Sequence, residues 1–288
     1  MLDRIRQAYQ TVRDDLADPG QGPPLDARTT TVFVVATVLL TVFYYYGKTR
    51  FYFRSVRPWF ESSYPEWSEW FEMMPYVYWG TMSIVIRVFV PVLVIVLLLR
   101  ERPRDYGMSL NGFRKHLPLY LGLYAFMFPF LWWAAHQPGF AETYPFYDRA
   151  HEGGWHFVGY ELVYGLQFVG VEFFFRGFLT FALFKRFGYH ALFIVAVPYV
   201  MIHFNKPVPE TIGALVAGVV LSYLALKSGN IWLGVLLHFG IAVTMDTMAI
   251  AAANGGLSFD LLHHLVTGSG LDAAAAAITV PVGGVPTG

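Results

Sequence analysis

Long apolar runs separated by short polar stretches dominate the sequence. A helix needs about 20 mostly apolar residues to cross a bilayer, and several runs approach or exceed that length. In chain order they cover residues 28–48, 75–99, 117–135, 155–184, 189–204, 211–226 and 231–253. The fifth run is short and stops before Pro207 and Pro209. The pattern predicts an all-α polytopic membrane helix bundle with about seven transmembrane helices.

The segments outside these runs predict elements at the membrane surface. Residues 51–71 mix tryptophan and phenylalanine with glutamate, as expected for a segment in the plane of the lipid headgroups. Residues 257–266 predict a further surface helix. We therefore expect four regions, namely a cytoplasmic N-terminal tail (1–30), three membrane helices with the interfacial segment (31–150), a helical core (151–255), and a surface helix with a loose C-terminal tail (256–288).

Composition supports the membrane assignment and excludes several other classes of protein. Charged residues make up 14% of the chain and hydrophobic residues 56%, whereas soluble domains carry about a quarter charged residues. This balance excludes a disordered chain, an ordinary cytosolic enzyme and a basic nucleic-acid binder. The absence of cysteine excludes disulfides, a cysteine nucleophile and thiolate metal sites.

Lysine and arginine outside the predicted helices indicate the orientation of the chain. The N-terminal tail and the loops after the second, fourth and sixth helices hold twelve of them, and the loops on the other side hold six. Because the side richer in Lys and Arg faces the cytoplasm, we expect the N-terminus inside and the C-terminus outside. The expected location is a bacterial-type cytoplasmic (inner) membrane.

Charged groups within the apolar runs are candidate site residues, since charge inside a bilayer is costly. The runs contain Glu161, Glu172, Asp246, Arg87 and Arg176. At about 1.5 Å per residue, Glu172 and His203 lie roughly 20 Å from the cytoplasmic helix ends and His238 roughly 12 Å. These three are expected to share one layer. Glu161 and Asp246 are displaced outward by on the order of 12–16 Å and do not join it.

Glu172 and Arg176 are four residues apart and therefore face the same way on one helix. The pair alone is compatible with a structural role in helix packing. A carboxylate paired with arginine stays ionised, and it can accept a proton from a positioned water. The case for a catalytic role depends on Glu172, His203 and His238 meeting in one layer.

Several short segments resemble one known family of membrane proteins. They are Gly170–Gly177 (GVEFFFRG), Tyr199–His203 (YVMIH), Gly218–Leu221 (GVVL), Ser228–Trp232 (SGNIW) and Trp232–Phe239 (WLGVLLHF). Their order and spacing are similar to those of the CPBP family, the CAAX proteases and bacteriocin-processing (Abi) proteins that include the type II CAAX prenyl endopeptidase. The resemblance covers about residues 155–255.

The resemblance implies a glutamic intramembrane endopeptidase in which a glutamate and a histidine activate a water. A second histidine and an asparagine then stabilise the oxyanion. Matched to this pattern, Glu172 is the second of two family glutamates, Arg176 the arginine, His203 the activating histidine and His238 the oxyanion histidine. Tyr199 stands where phenylalanine is usual.

Two positions depart from the family pattern. Val171 occupies the place of the first glutamate, and Ala242 that of the asparagine. Loss of one oxyanion donor typically lowers the rate by ~10²–10³, which does not by itself abolish activity. The absent first glutamate is the more serious change, and we expect Glu172 to act as the base in its place.

The leading hypothesis is an intramembrane endopeptidase with a cytoplasm-facing cavity, no cofactor, and a membrane-associated or lipid-modified peptide or protein as substrate. Two alternatives stay open. Two histidines and a glutamate are also a possible catalytic zinc set, although Arg176 would compete for Glu172. The departures at Val171 and Ala242 instead favour a non-catalytic membrane scaffold or a bacteriocin-immunity-type protein. Membrane lipids are expected partners, and nucleic acid is not.

Overall fold

The structure is a computed structural model that describes residues 6, 7, 10, 26–137, 139–204 and 206–269. Most of the predicted N-terminal tail, and the predicted C-terminal tail beyond residue 269, lie outside the described residues. Within them the chain is helical and forms no β-sheet. The predicted all-α polytopic helix bundle is confirmed.

In the described part of the chain, six helices are long and apolar enough to cross a membrane. They are α1 (Ala27–Tyr46), α2 (Met74–Leu98), α3 (Phe113–Ala135), α4 (Trp155–Phe187), α6 (Val208–Ser228) and α7 (Trp232–Ala253), with the shorter α5 (His190–Met201) between α4 and α6. A helix of 12 residues is about 18 Å long and cannot cross a hydrocarbon core of about 30 Å. The predicted fifth span is therefore a short helix, followed by a non-helical turn that contains residues 202–204 before α6 begins.

Short helical segments connect the long helices at the surface. Between α1 and α2 the chain forms helical turns over Thr49–Phe51, Tyr52–Val56, Arg57–Ser63 and Pro65–Trp70. The indole of Trp70 contacts that of Trp155, with ring centroids 6.0 Å apart. Helix α8 (Phe259–Thr267) overlaps the stretch predicted as a surface helix. It is joined to the start of α4 by a hydrogen bond from the Gly154 N–H to the Leu265 carbonyl (3.0 Å).

Helix α4 is the central helix of the bundle. In the most apolar stretch of α4, 83% of the residues are buried inside the protein, against 11% in that of α3. Helix α2 packs along the first half of α4, α7 packs between α3 and α4, and α5 and α6 form an antiparallel hairpin. Because three other helices or hairpins pack against α4, polar groups on its faces meet residues from each of them.

The two ends of the bundle carry different polar clusters. At the end that we call the Lys185 end, the Glu101 carboxylate pairs with Lys185 (2.8 Å) and Arg28 (3.2 Å) and accepts a hydrogen bond from Tyr106. At the opposite end, which we call the Lys48 end, the Lys206 ammonium donates to the Tyr144 hydroxyl (2.7 Å).

Candidate active site

Glu172 lies in the middle of α4 and is fully buried. One carboxylate oxygen accepts a hydrogen bond from His238 Nδ1 on α7 (3.1 Å), and the other lies 3.6 Å from Arg176 Nε. A Cβ atom at Gly234 would come within 2.4 Å of the same carboxylate. The absence of a side chain at this turn of α7 therefore allows α7 to approach the acid closely. The carboxylate is held between a cation, an imidazole and the backbone of α7.

Arg176 is as deeply buried as its partner. Its guanidinium lies over the ring of Tyr199 at 3.8 Å from the centroid, and it donates to the Ala217 carbonyl on α6 (3.5 Å). The Glu172–Arg176 pair thus links α4 to α5, α6 and α7. Without the guanidinium, the carboxylate would be an uncompensated charge in the core, which costs several kcal/mol.

His203 lies in the turn that follows α5, outside the membrane-spanning helices. Its ring packs on that of Tyr199, with centroids 4.8 Å apart, and its Nδ1 lies 2.8 Å from the Tyr199 carbonyl oxygen. Burial, with a smaller contribution from the nearby His238, lowers the pKa of His203 to about 4. The ring is therefore neutral at pH 7. Because a carbonyl oxygen only accepts, Nδ1 carries the proton and Nε2 carries the lone pair.

The same reasoning fixes the tautomer of His238. A carboxylate accepts and does not donate, so His238 Nδ1 donates its proton to Glu172. In the neutral ring Nε2 then carries the lone pair. The ring of Phe168, one turn before Glu172, packs against the imidazole with centroids 4.6 Å apart. The aromatic contact and the hydrogen bond together fix the orientation of the imidazole.

A cavity of about 810 Å³ extends into the bundle from the Lys48 end. The described residues that line it include both His203 and His238, but not Glu172. Its α4 wall consists of residues at helical spacing, namely Tyr164, Gln167, Phe168 and Val171. Successive residues of a helix point about 100° apart. Val171 therefore faces the cavity, while Glu172 faces the protein interior behind His238.

The candidate residues thus fall into two contact groups around one cavity. Glu172 contacts both Arg176 and His238 directly. His203 Nδ1 hydrogen-bonds to the backbone carbonyl of Tyr199, which joins His203 to the first group through the Arg176–Tyr199 contact. Glu172 is hydrogen-bonded to His238, and joint action of Glu172 with His203 stays a prediction.

The two departures from the family pattern are both apolar surfaces here. Val171 is buried in the cavity wall at the position of the first family glutamate. Ala242, one turn beyond His238 on α7, packs in an apolar cluster with Tyr164 and Phe168. Neither Val171 nor Ala242 supplies a polar group to the cavity. Glu161 and Asp246 are buried elsewhere on α4 and α7 and do not line it.

Three polar residues at the mouth of the cavity were not singled out from the sequence as site residues. Tyr144 donates to the Glu210 carboxylate (2.7 Å) and accepts from Lys206, whose ammonium lies 3.7 Å from Glu210. Lys206 also lies over the ring of Phe146. Lys206 and Glu210 are i, i+4 around the start of α6, which is the only signal of their pairing that the sequence contains.

The residues of the candidate site do not fit a zinc ion. Within the described ranges, no group of three or more His, Asp or Glu side chains is arranged to hold a metal. Both oxygens of Glu172 already face His238 and Arg176, and the Nδ1 atoms of both histidines are engaged. We therefore assign no step to a metal.

The position of the cavity mouth bears on orientation. The lining residues Lys48, Glu142, Asp148 and Lys206 belong to the Lys48 end, which is the side with fewer lysines and arginines in the sequence. The N-terminal end of α1 lies at the opposite, Lys185 end of the bundle. The cavity and the N-terminal end of α1 therefore cannot both face the cytoplasm.

Comparison with known proteins identifies the segment that carries this site. Residues 153–244 match the family model described as type II CAAX prenyl endopeptidase Rce1-like. No curated protein and no solved structure matches the chain. The matched segment covers about a third of the chain and includes Glu172, Arg176, His203 and His238. It is consistent with the CAAX protease family of integral membrane proteins, and the family resemblance predicted from the motifs is confirmed.

Proposed function

We propose that the protein is an intramembrane endopeptidase that hydrolyses a peptide bond of a membrane-associated or lipid-modified peptide inside this cavity. The observation that carries the proposal is the pair of imidazoles on one cavity wall, one of which is hydrogen-bonded to a fully buried carboxylate. An imidazole oriented by a carboxylate is a recurrent general base in hydrolytic enzymes.

In this proposal His238 is the general base and Glu172 its positioning residue. His238 Nε2 accepts a proton from a water as the water oxygen attacks the peptide carbonyl carbon. The buried carboxylate stabilises the imidazolium that forms, and Arg176 holds the carboxylate in place. His238 then returns the proton to the leaving nitrogen as the carbon–nitrogen bond breaks, which leaves a carboxylic acid and an amine.

His203 contributes a second acceptor to the same water. The lone pair on its Nε2 can accept the second hydrogen of a water held by His238, so that the water oxygen lone pair points into the cavity. This division of labour differs from the roles that the family resemblance implies. It assigns the base to His238 rather than to Glu172, because Glu172 does not line the cavity.

The proposal is tested by cleavage of fluorogenic peptides with the full chain reconstituted in liposomes. Farnesylated and unmodified C-terminal peptides are compared for the wild type, His238→Ala and His203→Ala. The matched control is His263→Ala, on the exposed face of α8. General acid–base catalysis typically contributes ~10²–10⁴-fold, so we expect His238→Ala to lose at least ~100-fold and the control to equal the wild type.

A second candidate function is a non-catalytic scaffold that binds a peptide in the cavity. The apolar residues Val171 and Ala242 favour it, since they stand at family positions that carry polar groups. If the wild type binds these peptides but cleaves none of them, the protease proposal is wrong and the scaffold assignment takes its place. If cleavage survives both histidine substitutions, the roles assigned to His238 and His203 are wrong.

A further inference from the structure

Arg87 is a deeply buried cation on the cavity wall that the proposed mechanism does not use. It lies in the middle of α2, is 5% exposed, and lines the cavity. Its guanidinium lies over the ring of Phe43 at 3.6 Å and donates to the Gln167 amide oxygen (3.2 Å). Its Nε has no hydrogen-bond partner. In the described part of the chain, its contacts are an aromatic ring and a neutral amide.

A second cation lines the same wall. Lys48 follows α1, and its ammonium lies over the ring of Tyr44 at 4.6 Å from the centroid. Burial, and then the charge of the nearby Arg87, lower the pKa of Lys48 to about 8. Two positive groups are therefore close enough to repel each other in a partly desolvated site. Within the described residues, neither has a carboxylate in ion-pair contact.

This arrangement is costly unless an anion occupies it. A buried charge is normally paired, because its desolvation is repaid only by a partner of opposite sign. The aromatic faces of Phe43 and Tyr44 offset part of that cost. The Lys206 cation at the mouth shows the contrast, since Glu210 and Tyr144 already satisfy it. The unpaired cations thus mark the part of the cavity wall formed by Arg87 and Lys48 as a receptor for a negative group.

Two adjacent residues of α4 connect the anion receptor to His238, the base in the proposed mechanism. Gln167, which accepts from Arg87, precedes Phe168, which packs on the His238 ring. Both residues line the cavity. An anionic end of a bound peptide at Arg87 would therefore place the neighbouring peptide bonds along the wall that leads to His238.

We propose that Arg87, assisted by Lys48, binds the C-terminal carboxylate of the substrate peptide and so determines where the chain is cut. The inference rests on the proposed function and adds a specificity determinant to it. A guanidinium suits this role because its planar N–H groups match the geometry of a carboxylate. The enzyme would then select substrates with a free C-terminus within reach of the base.

The experiment compares two peptides of identical sequence, one ending in a free carboxylate and one in a carboxamide. Wild type, Arg87→Gln and Arg87→Lys are assayed in liposomes without anionic lipid. A hydrogen bond to a charged group is worth about 1.5–3 kcal/mol, or roughly 10–150-fold. We expect the wild type to prefer the acid by a factor in this range. Arg87→Gln should lose the preference through a higher KM for the acid.

Two further variants guard against misinterpretation. Arg50→Gln removes an exposed cation of the same loop that does not line the cavity, and it should retain the full preference. Lys48 lies at the cavity mouth, and Lys48→Gln should reduce the preference for the acid by a smaller factor than Arg87→Gln does. If Arg87→Gln does not fold, the wild-type comparison of acid with amide, together with Lys48→Gln, still decides the proposal.

Binding measurements separate this inference from the proposed function. If no peptide is cleaved, fluorescence anisotropy of the labelled acid and amide still reports their affinities for the wild type. Equal affinity for both peptides overturns the inference, whether or not cleavage occurs. A second result would also overturn the inference. In that result the acid and the amide bind alike, and phosphatidylglycerol vesicles raise the melting temperature of the wild type but not that of Arg87→Gln. The anion at Arg87 would then be a lipid phosphate.

Discussion

At the scale of single residues, the contact between Glu172 and His238 leads to a specific prediction for Glu172→Gln. The Arg176 guanidinium only donates hydrogen bonds, so a glutamine at this position would turn its amide oxygen toward Arg176. Its NH₂ group would then face His238 and force Nδ1 to accept. The proton would move to Nε2, and the general base would lose its lone pair. By analogy with the aspartate-to-asparagine change in a serine protease triad, we expect kcat to fall by ~10²–10⁴-fold.

The tautomer of His238 can be measured directly. In protein with ¹⁵N-labelled histidine, the wild type should show a protonated Nδ1 at His238, and Glu172→Gln a protonated Nε2. Glu142→Gln, which removes an exposed carboxylate of the cavity mouth, serves as the control and should change neither the tautomer nor kcat. A Glu172→Gln variant that keeps the wild-type tautomer and rate would contradict the assigned roles. Because the substitution also removes the negative charge that pairs with Arg176, we expect Glu172→Gln to have a lower melting temperature than the wild type.

The spacing of residues predicts a shared layer for Glu172, His203 and His238 but not which partner each one takes. Counting residues from the helix ends gives only the depth of a side chain. It does not give the rotation of a helix about its axis. The neighbouring positions Val171 and Glu172 differ by about 100°, so that rotation decides which one faces the cavity. Packing of α4 against α2 and α7 sets it, and no local pattern records that packing.

At the scale of helices, the contact of α2 with α4 depends on Gly170. A Cβ atom at this position would lie 2.1 Å from the Ser83 hydroxyl and 3.0 Å from the Ser83 carbonyl, and Ser83 is fully buried. Gly170→Ala must therefore push the helices apart or shift Ser83, and overpacking of this kind typically costs 1–3 kcal/mol. We expect a lower melting temperature in detergent and a weaker Arg87–Gln167 contact across the same interface.

Gly213→Ala is the matched control for this prediction. Gly213 lies inside α6, and a Cβ there would meet no other atom within 4 Å. Replacing glycine by alanine in an open helical position is stabilising by roughly 0.5–1 kcal/mol. The two substitutions should therefore shift the melting temperature in opposite directions. If Gly170→Ala is as stable as the wild type, the close approach of α2 and α4 is not what positions the cavity wall.

Hydropathy predicted six of the seven membrane helices well and overestimated the fifth. The run 189–204 is apolar to its end, and hydropathy measures only the length of such a run. The helix stops at Met201, and His203 lies in the turn before Pro207. That early end matters for the site, because it places the His203 ring inside the bundle at the cavity. The backbone carbonyl of Tyr199 then fixes its tautomer.

At the scale of the whole molecule, the two ends differ in charge as well as in structure. The Lys185 end carries twice as many of the extramembrane lysines and arginines in the sequence as the Lys48 end, and the cavity opens at the Lys48 end. If the side rich in Lys and Arg faces the cytoplasm, a substrate enters from the non-cytoplasmic side. The orientation of the bundle therefore determines which peptides can reach Arg87 and His238.

Single cysteines introduced into this cysteine-free chain test that orientation directly. Ser62→Cys places an exposed thiol at the Lys48 end, and Asn111→Cys places one at the Lys185 end. We expect a membrane-impermeant maleimide to label Ser62→Cys in intact cells and Asn111→Cys only after permeabilisation. The opposite pattern would mean that the cavity opens to the cytoplasm and that the count of charged residues is misleading. Cleavage of a peptide added outside intact cells should then be lost, because the base and the cation wall would both face inward.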